Sequence, residues 1–341
     1  MNPMSENWPP VRTVPIVALV LVTFLTLAGC VRTPDMSGMS IQPDRSLETM
    51  NPRARTLAEI DPEEKLRLLV DHAPLIWLAK HEKYMPSSVE WAFDHFERHL
   101  HEGRYWLQTR DRLSSPSDAS LELFQGDLET APVYAFAVGK GGFLDLVYFV
   151  YYPYNRGKEM LNTIWGNHVG DWEHVTVRLA QESLQPIGLY VSTHDLGGAF
   201  RWSDVPKQGS HPIVYAAWGS HGFWLEPGDH TYKEIGPGGI IAELVDEVSK
   251  GTRWESWNNI LTLDYSAKTG LGDDVWPRWM STDYADPGEG DPSNPAAGPI
   301  FRWGNRADGC GLPEEITGEC RLNNGPTGPA QKGVWNPDRF N

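Results

Sequence analysis

The sequence has no hydrophobic run long enough to cross a bilayer, which takes about 20 consecutive apolar residues. Its longest apolar run covers residues 14–28 and follows a head whose only Lys or Arg is Arg12. A short apolar run near the amino terminus is typical of a secretory signal peptide rather than of a membrane anchor. The sequence therefore predicts export, with residues 1–29 as the signal peptide.

The end of this run carries a possible lipid-attachment motif. Leu27-Ala28-Gly29-Cys30 resembles the bacterial lipobox, which implies that Cys30 carries palmitate and becomes the mature amino terminus. Because Val31 rather than Asp follows, the same resemblance implies the outer membrane of the cell envelope. An ordinary signal peptide with a chance cysteine is the alternative. Residues 30–56, rich in Ser, Pro and Met, are expected to form a flexible tether.

Positive charge is scarce in this chain. There are 29 Lys and Arg residues against 45 Asp and Glu, so the formal net charge is −16. An acidic surface repels nucleic acid phosphates, and no segment forms a basic patch that would overcome this repulsion. We therefore expect no nucleic acid partner.

Cysteine is also rare, with 3 residues in the chain. If Cys30 carries lipid, Cys310 and Cys320 remain as a pair in a loop-rich tail over residues 306–341. In an oxidising compartment such a pair is expected to form a disulfide, with two free thiols as the alternative. A zinc site is less favoured because no third and fourth ligand lie beside the two cysteines.

Alternating ten-residue helical patterns are missing after Pro132, which argues against a parallel α/β sheet. In their place come β-branched or aromatic runs bounded by Gly, Pro and Asn. We expect a mainly β protein, an antiparallel β-sandwich with an N-terminal helical flank and a loop-rich C-terminal tail. Residues 57–305 would form the single domain, with strands at Val133 to Val138, Phe143 to Tyr152, Glu173 to Leu179, Ile187 to Thr193 and Pro212 to Trp218.

Three helices are predicted around these strands. The first begins after Asp61, whose side chain can cap it, and ends at Ala73 before a proline. The second begins at Ser87 and continues to Leu100 with apolar residues at helical spacing. The third covers residues 240–248 as an insertion between strands.

Chemistry-bearing residues concentrate in residues 165–174 (WGNHVGDWEH). His, Asp and Glu at such short range can hold a divalent cation or share protons. If Asp171 begins a strand, period-two alternation places it on one face with Glu173, whereas Trp172 and His174 take the other face. His168, in the preceding loop, can then reach the two carboxylates.

Two more histidines lie at comparable positions. His194 follows one predicted strand and His221 follows another. Side chains at neighbouring strand ends can build one cluster at the rim of a sandwich. The alternative, which stays open, is that each of these side chains caps its own loop.

Five segments carry a family resemblance. They look like the vacuolar protein sorting-associated protein sixty-two family, and they occur in the same order along the chain. No biochemical role follows from this resemblance. The segments are residues 84–91 (YMPSSVEW), 166–174 (GNHVGDWEH), 211–215 (HPIVY) with 219–221 (GSH), 302–304 (RWG) and 325–329 (GPTGP).

A more distant resemblance concerns the spacing His168-x-x-Asp171-Trp172-Glu173. It is similar to the Gly-His-Arg-His-Asp-Trp-Glu signature of necrosis- and ethylene-inducing-peptide-like toxins. Those are secreted β-sandwich proteins that bind a divalent cation at a rim and recognise membrane glycolipids. The resemblance implies metal ligands at His168, Asp171, Glu173 and His221, with Asn155 where the toxins use a metal-binding Asp.

These observations predict recognition of a ligand through a cation. Oxygen-rich ligation favours calcium or magnesium, whereas more His ligands would favour zinc or manganese. The expected ligand is a glycan or a lipid head group, contacted by Asn155, His174 and His194. The chain as a whole would be a lipid-anchored envelope protein.

Two alternatives remain. A metal-dependent hydrolase would use Glu173 and His221 as its catalytic groups, but no motif diagnostic of catalysis is present. The segment 219–222 (GSHG) lacks the first glycine of a nucleophile elbow, because Trp218 stands there. A structural envelope lipoprotein is the other alternative. The sequence therefore favours a protein that is not an enzyme.

Overall fold

The structure is a computed structural model, and it describes residues 60–110, 123–160, 163–194, 197–235, 242–263, 302–311, 314, 318–335 and 340. The predicted signal peptide, tether and Cys30 lie outside these residues. Two α-helices, α1 (Pro62–Asp71) and α2 (Val89–His95), precede most of the strands. Short 3₁₀ helices cover Ser256–Asn259, Pro329–Gln331 and Gly333–Trp335. No helix in the described part of the chain is long and apolar enough to cross a membrane.

The strands are short at both ends of the chain and long in its middle. In chain order they are β1 (Leu75–Leu78), β2 (Phe96–His101), β3 (Arg104–Thr109), β4 (Val133–Lys140), β5 (Phe143–Asn155), β6 (Lys158–Met160), β7 (Thr163–Trp165), β8 (His168–Ala180), β9 (Pro186–Val191), β10 (Gly198–Arg201), β11 (Lys207–Gln208), β12 (His211–Ala216), β13 (Phe223–Trp224), β14 (Gly228–Ile235), β15 (Ala242–Val248), β16 (Thr252–Glu255), β17 (Ile260–Thr262) and β18 (Arg302–Trp303).

The first predicted helix is confirmed with its cap. The side chain of Asp61 accepts a hydrogen bond of 2.8 Å from the backbone N–H of Glu64, and Pro62 occupies the first helical position. Both features stabilise a helix start because they satisfy or remove N–H groups that lack partners within the helix. The helix ends at Asp71, two residues before Ala73.

The second helix is shorter than predicted. Ser88 caps α2 by accepting a hydrogen bond of 3.0 Å from the N–H of Trp91, but the helix ends at His95. The segment that follows pairs with β3 as an antiparallel hairpin, with Phe96 opposite Thr109. The prediction of a helix up to Leu100 is therefore wrong, because cross-strand pairing outweighs a weak helical spacing.

The third predicted helix is a strand. Residues 242–248 form β15, which pairs with β14 over its whole length. Leu244, Asp246 and Val248 are buried, whereas Glu243 and Glu247 are exposed. This alternation has the period of two that a half-buried strand requires. The spacing of the apolar residues fits a helix as well, so only the pairing with β14 decides the structure.

The mainly β fold class is confirmed. The central sheet has the order β10-β9-β8-β5-β4-β17, and a second sheet has the order β11-β12-β1-β16 with β13 beside β12. Within the described residues most pairings are antiparallel, and three are parallel: β1 with β12, β17 with β4, and β18 with β3. The sheets therefore contain parallel pairings between strands that are far apart in the chain as well as antiparallel pairings between neighbouring strands.

The core lies on both faces of the central sheet. Between the two sheets, Val175 and Val177 of β8 pack in one cluster with Ile76 of β1 and Val214 of β12. On the opposite face, Trp172 packs in a second cluster with Trp303 of β18. The predicted alternation along β8 is confirmed, since the valines and Trp172 lie on opposite faces.

The described part of the C-terminal tail packs onto this second face. Leu322 and Val334 of the tail are buried there, in one cluster with Trp303 of β18. Gly170 makes the approach possible, because its φ is +69° and a Cβ there would lie 2.1 Å from the carbonyl oxygen of Trp303. Any other residue would push the tail away from the start of β8.

The predicted disulfide is confirmed. Cys310 and Cys320 are bonded, with their Cα atoms 4.4 Å apart. The bond closes a short loop of the tail. Two residues near Cys320 contact the rest of the protein: Glu319 accepts a hydrogen bond from Lys233 of β14, and Leu322 packs in the cluster that contains Trp172.

Candidate functional site

A polar cavity of about 560 Å³ lies at the start of β8. The tail forms one of its walls and β14 and β15 contribute another. Six of the predicted site residues line it together: Asn155, His168, Asp171, Glu173, His174 and His194. The predicted rim cluster is thus a polar cavity shared by several strand ends.

Asp171 lies on the floor of the cavity and is 5% exposed. Its Oδ1 accepts a hydrogen bond of 2.9 Å from the N–H of Trp172, and its Oδ2 accepts one of 3.1 Å from Nδ1 of His221. Burial is the largest influence and disfavours the ionised carboxylate, but the hydrogen bond of His221 and the nearby charges of His168, His221 and Lys332 together outweigh it, so the pKa of Asp171 is lowered. Asp171 is therefore a carboxylate anion.

Glu173 is two residues further along the same face of β8 and is 6% exposed. Its Oε2 accepts a hydrogen bond from the hydroxyl of Ser192. Burial, followed by the negative charge of Asp171, raises the pKa of Glu173 to about 8. Ionising both of two neighbouring buried carboxylates costs free energy, because their negative charges repel each other. A cation bound between them would remove this cost.

His168 is held in one tautomer. Its Nδ1 lies 2.7 Å from the carbonyl oxygen of Gly170, which can only accept, so Nδ1 carries the proton. Burial lowers the pKa of His168, which favours the neutral ring. Nε2 then presents a lone pair, and it accepts no hydrogen bond from the residues that the structure describes. A backbone carbonyl orienting the far nitrogen is the usual arrangement of a metal-bound histidine.

His221 does not line the cavity, although the toxin-like resemblance implies a metal ligand there. Its side chain is 0% exposed and lies beneath Asp171, and its ring stacks on Tyr152 with centroids 3.8 Å apart. Its Nε2 is 4.0 Å from Oε1 of Glu82. In this position His221 orients Asp171, and a residue buried behind a carboxylate cannot reach an ion in front of it.

Asn155 and His174 have different environments. Asn155 Nδ2 donates a hydrogen bond of 3.2 Å to the carbonyl of Gly166. His174 stacks against Tyr190 with ring centroids 5.4 Å apart, and its buried Nδ1 has no hydrogen-bond partner among the described residues. Burial lowers the pKa of His174 to about 3, so this ring is neutral.

His194 is part of a network that the sequence did not reveal. Its Nε2 donates to Oδ2 of Asp246 over 2.9 Å, and Asp246 also accepts from Lys158 at 3.0 Å and from Ser220 at 2.6 Å. The predicted helix over residues 240–248 concealed Asp246. If the same segment is read as a strand, Asp246 falls on the buried face between Leu244 and Val248. A carboxylate on an otherwise apolar strand face is the signal that could have identified it.

The tail contributes a further polar group to the wall. Glu319 Oε1 accepts from Lys233 at 2.8 Å, and its Oε2 accepts from Asn323 at 2.5 Å. Lys332 also lines the cavity, and its positive charge favours the ionised forms of Asp171 and Glu173, although the pKa of Glu173 stays raised because burial and Asp171 outweigh it. Glu319, Asn323 and Lys332 come from the tail, which the sequence predicted only as loops.

Preformed metal clusters are rare in the described part of the chain. One trio of potential ligand atoms lies within 4.8 Å, and it consists of Cys310, Glu314 and Cys320. Because its two sulfurs form the disulfide, this trio has no thiolate to offer a metal. His168, Asp171 and Glu173 do not form such a compact trio, so a cation there would draw their side chains together and keep bound water.

The comparisons with known proteins agree with the motifs. Residues 97–238 match the family model described as Vacuolar protein sorting-associated protein 62. Similar relatives in Saccharomyces cerevisiae are Vacuolar protein sorting-associated protein 62, 27% identical over 254 residues, and Putative vacuolar protein sorting-associated protein TDA6, 25% identical over 302 residues. The matches cover 59% and 71% of this chain, and the chain spans 52% and 64% of those proteins. The predicted family resemblance is confirmed.

Similar solved structures include Necrosis and Ethylene inducing Protein 2 from the causal agent of cocoa's witches' broom disease. It is 16% identical, with 57% of this chain and 72% of that chain covered and a TM-score of 0.32. NLPPya in complex with glucosamine is 17% identical, with coverages of 64% and 86% and a TM-score of 0.36. Both belong to the toxin class of the more distant resemblance. At these TM-scores no residue role is transferred.

The predicted location is wrong. A lipoprotein of a bacterial outer membrane does not agree with named relatives that are vacuolar protein sorting proteins of yeast. The prediction rested on four residues ending at Cys30, and so short a motif also arises by chance. The lipid anchor, the palmitate and the cell-envelope location are therefore withdrawn, and with them the structural envelope lipoprotein.

Proposed function

We propose that this chain is a recognition protein whose polar cavity binds a polar ligand together with a divalent cation. The single observation that carries the proposal is the pair of buried carboxylates, Asp171 and Glu173, on one face of β8 at the cavity. Carboxylates are rarely buried unless they are paired or coordinate a metal.

The charge balance of the pair supports a cation. Asp171 has two internal hydrogen bonds, but Glu173 has one, from Ser192, among the described residues. In the absence of a cation the raised pKa of Glu173 keeps it protonated at neutral pH. A divalent cation would replace this proton, and its binding would release it.

His168 supplies the third group. Nδ1 of His168 donates its proton to the carbonyl of Gly170. The lone pair on Nε2 accepts no hydrogen bond from the described residues and can therefore bind a cation. Two carboxylates and one imidazole leave coordination positions for water and for a ligand oxygen. Calcium or magnesium fits an oxygen-rich set, whereas manganese or zinc would be favoured if the imidazole dominates. The ligand itself would be a glycan or a lipid head group, contacted by Asn155, His174 and His194.

Thermal unfolding of the full chain with calcium, magnesium, manganese and zinc tests the proposal. A cation at about 100 times its dissociation constant should stabilise the fold by roughly 2.7 kcal/mol. Asp171→Asn should remove this shift, whereas Asp229→Asn, at an exposed carboxylate on β14, should keep it. A wild type that responds to no cation, or one that responds equally after Asp171→Asn, would rule out the cation site.

A second function has one specific observation in its favour. A glutamate with a pKa of about 8 at a cavity wall is suited to general acid–base catalysis near neutral pH. In this alternative His168 and Asp171 would hold the metal, which would supply an activated water, Glu173 would act as the general base, and His221 would orient Asp171 rather than act on a substrate. Metal-dependent turnover of phosphodiester, ester or glycoside substrates that is lost in Glu173→Gln would favour the hydrolase over recognition.

A further inference from the structure

A second charged cluster lines the same cavity and is built around Asp246. This carboxylate is 0% exposed. Lys158 Nζ lies 3.0 Å from its Oδ1, and Ser220 Oγ donates to the same oxygen over 2.6 Å. His194 Nε2 donates to Oδ2 over 2.9 Å, as does Trp224 Nε1 over 3.0 Å. Four donors from four other segments therefore meet at one carboxylate.

Stability alone does not account for these charges. Removing ions from water costs several kcal/mol each, so a buried ion pair contributes little compared with apolar side chains of the same volume. The segments that meet at Asp246 include β6, β13 and β15, and apolar packing could join them as well. A lysine and a histidine around one buried acid instead supply positive charge at this wall.

The cluster joins two basic side chains, Lys158 and His194, to one carboxylate. Asp246 has a pKa well below its usual range, because the neighbouring His194 and Lys158 outweigh the effect of burial. Burial lowers the pKa of His194, but the charge and the hydrogen bond of Asp246 outweigh this effect, so that the pKa of His194 is raised. One carboxylate is thus shared between an ammonium group and an imidazole that favours its charged form.

Both cations retain donors toward the cavity. Lys158 is 13% exposed and His194 is 24% exposed, and both line the cavity, whereas Asp246 does not. The ammonium group of Lys158 has three N–H bonds, of which Ser220 and Asp246 use two. Nδ1 of His194 donates no hydrogen bond to any residue that the structure describes. One donor on each side chain is therefore left for a ligand.

The cavity as a whole is positive although the chain carries a net charge of −16. The permanent cations that line it outnumber the carboxylates there, four against three. The lining cations are Lys158, Lys233, Arg302 and Lys332, and the lining carboxylates are Asp171, Glu173 and Glu319.

We propose that Lys158 and His194 form an anion-binding pole that holds a phosphate group of the ligand. This inference rests on the proposed function, because it takes the cavity as the ligand site. Two separate single donors suit a tetrahedral oxyanion, whereas a planar carboxylate is better matched by the fork of an arginine. A hard cation held by few protein carboxylates also commonly completes its coordination with phosphate oxygens.

Calorimetric titration of the full chain with inorganic phosphate, in buffer containing a chelator, tests the anion pole without the cation. The wild type should bind phosphate, and Lys158→Met should weaken this binding at least tenfold. Lys80→Met is the matched control and should change nothing, because Lys80 is an exposed lysine just after β1 that does not line the cavity. His194→Gln provides a second variant, since it can keep a hydrogen bond to Asp246 while the charge is lost.

The outcomes separate this inference from the proposed cation site. Phosphate binding in chelator that depends on Lys158 and His194 supports the anion pole even if no cation changes the melting temperature. Equal phosphate binding by wild type and both variants, or none by the wild type, overturns the pole even if cations bind. Acetate that binds as tightly as phosphate also overturns it, because the pole would then take carboxylates.

Two further probes identify the source of the phosphate. Glycerol 3-phosphate presents a soluble phosphate monoester, and phosphatidylcholine vesicles containing phosphatidic acid present the same group at a lipid surface. Binding of glycerol 3-phosphate that is lost in Lys158→Met supports a soluble ligand. Binding of the vesicles alone, lost in the same variant, supports a lipid head group. Vesicle binding that persists in Lys158→Met overturns the role of the pole in either ligand.

Discussion

His221 and Asp171 form a buried pair in which Nδ1 of the imidazole donates to Oδ2 of the carboxylate over 3.1 Å. The imidazole is also stacked on Tyr152. The backbone of His221 has a φ of +62°, which lies in the left-handed region. A non-glycine residue in this conformation costs energy, which surrounding contacts must offset. The arrangement fixes the direction in which Asp171 faces the cavity.

Replacing His221 with Leu should destabilise the protein by about 2–3 kcal/mol, because a buried carboxylate loses a hydrogen bond from its charged form. Chemical denaturation measures the free energy of unfolding. His221→Asn is the control, since Asn tolerates positive φ and retains an N–H donor, and it should cost less. Equal losses in the two variants would contradict the role of the hydrogen bond.

Glu173 should make stability depend on pH in a chelating buffer. Its pKa is raised to about 8 in the folded state, so the folded protein holds a proton that the unfolded chain releases above its ordinary pKa of about 4.3. This contribution is complete below about pH 4.3, and stability falls as pH rises from there to about 8, by at most about 1.4 kcal/mol per pH unit.

Glu173→Gln should flatten this part of the stability profile, which denaturant titrations at several pH values would show. Glu243→Gln, at an exposed position of β15, should leave the profile unchanged. A wild-type profile that is already flat from pH 5 to 8 would mean that Glu173 ionises normally.

Gly170→Ala should be severely destabilising. The glycine has a φ of +69°, and an added Cβ would lie 2.1 Å from the carbonyl oxygen of Trp303. Both the left-handed backbone and the clash act against alanine, so we expect a loss of more than about 3 kcal/mol. Gly103→Ala separates the two effects, because its φ is +74° and no atom lies within 4 Å of the added Cβ. It should cost only about 1 kcal/mol.

Loss of the Cys310–Cys320 bond should destabilise the folded tail. The cysteines are 10 residues apart, and closing so short a loop contributes about 3 kcal/mol in the chain-entropy model. Non-reducing peptide mapping should find the linked peptide, and the double variant Cys310→Ser/Cys320→Ser should melt at a lower temperature. Reductant should lower the melting temperature of the wild type and leave the double variant unaffected.

Local sequence patterns predicted several elements correctly because their causes are local. Asp61 and Pro62 define the start of α1 through capping and a fixed φ. The alternation of polar and apolar residues along β8 predicted that Val175 and Trp172 face opposite sides. The clustering of His168, Asp171 and Glu173 also followed from spacing, because the three lie within six residues of one another.

The errors lie where two structures fit the same local pattern. Residues 242–248 contain strong helix formers and apolar residues that suit either period, and pairing with β14 makes them a strand. The segment from Phe96 to Leu100 likewise joins the hairpin with β3. In both cases the backbone hydrogen bonds come from another strand, and intrinsic propensities of a few tenths of a kcal/mol per residue cannot oppose them.

The sequence by itself determined the mainly β class, the disulfide pair and the short polar segment around Asp171, since each follows from composition or close spacing. Only the tertiary structure decided which distant residues complete the cavity. Lys158 and Glu319 reach it from a strand and a tail that are far apart in the chain. Asp246 lies behind Lys158 and His194, and His221 lies behind Asp171 instead of beside it. Such placement depends on long-range pairing and packing, which no local pattern encodes.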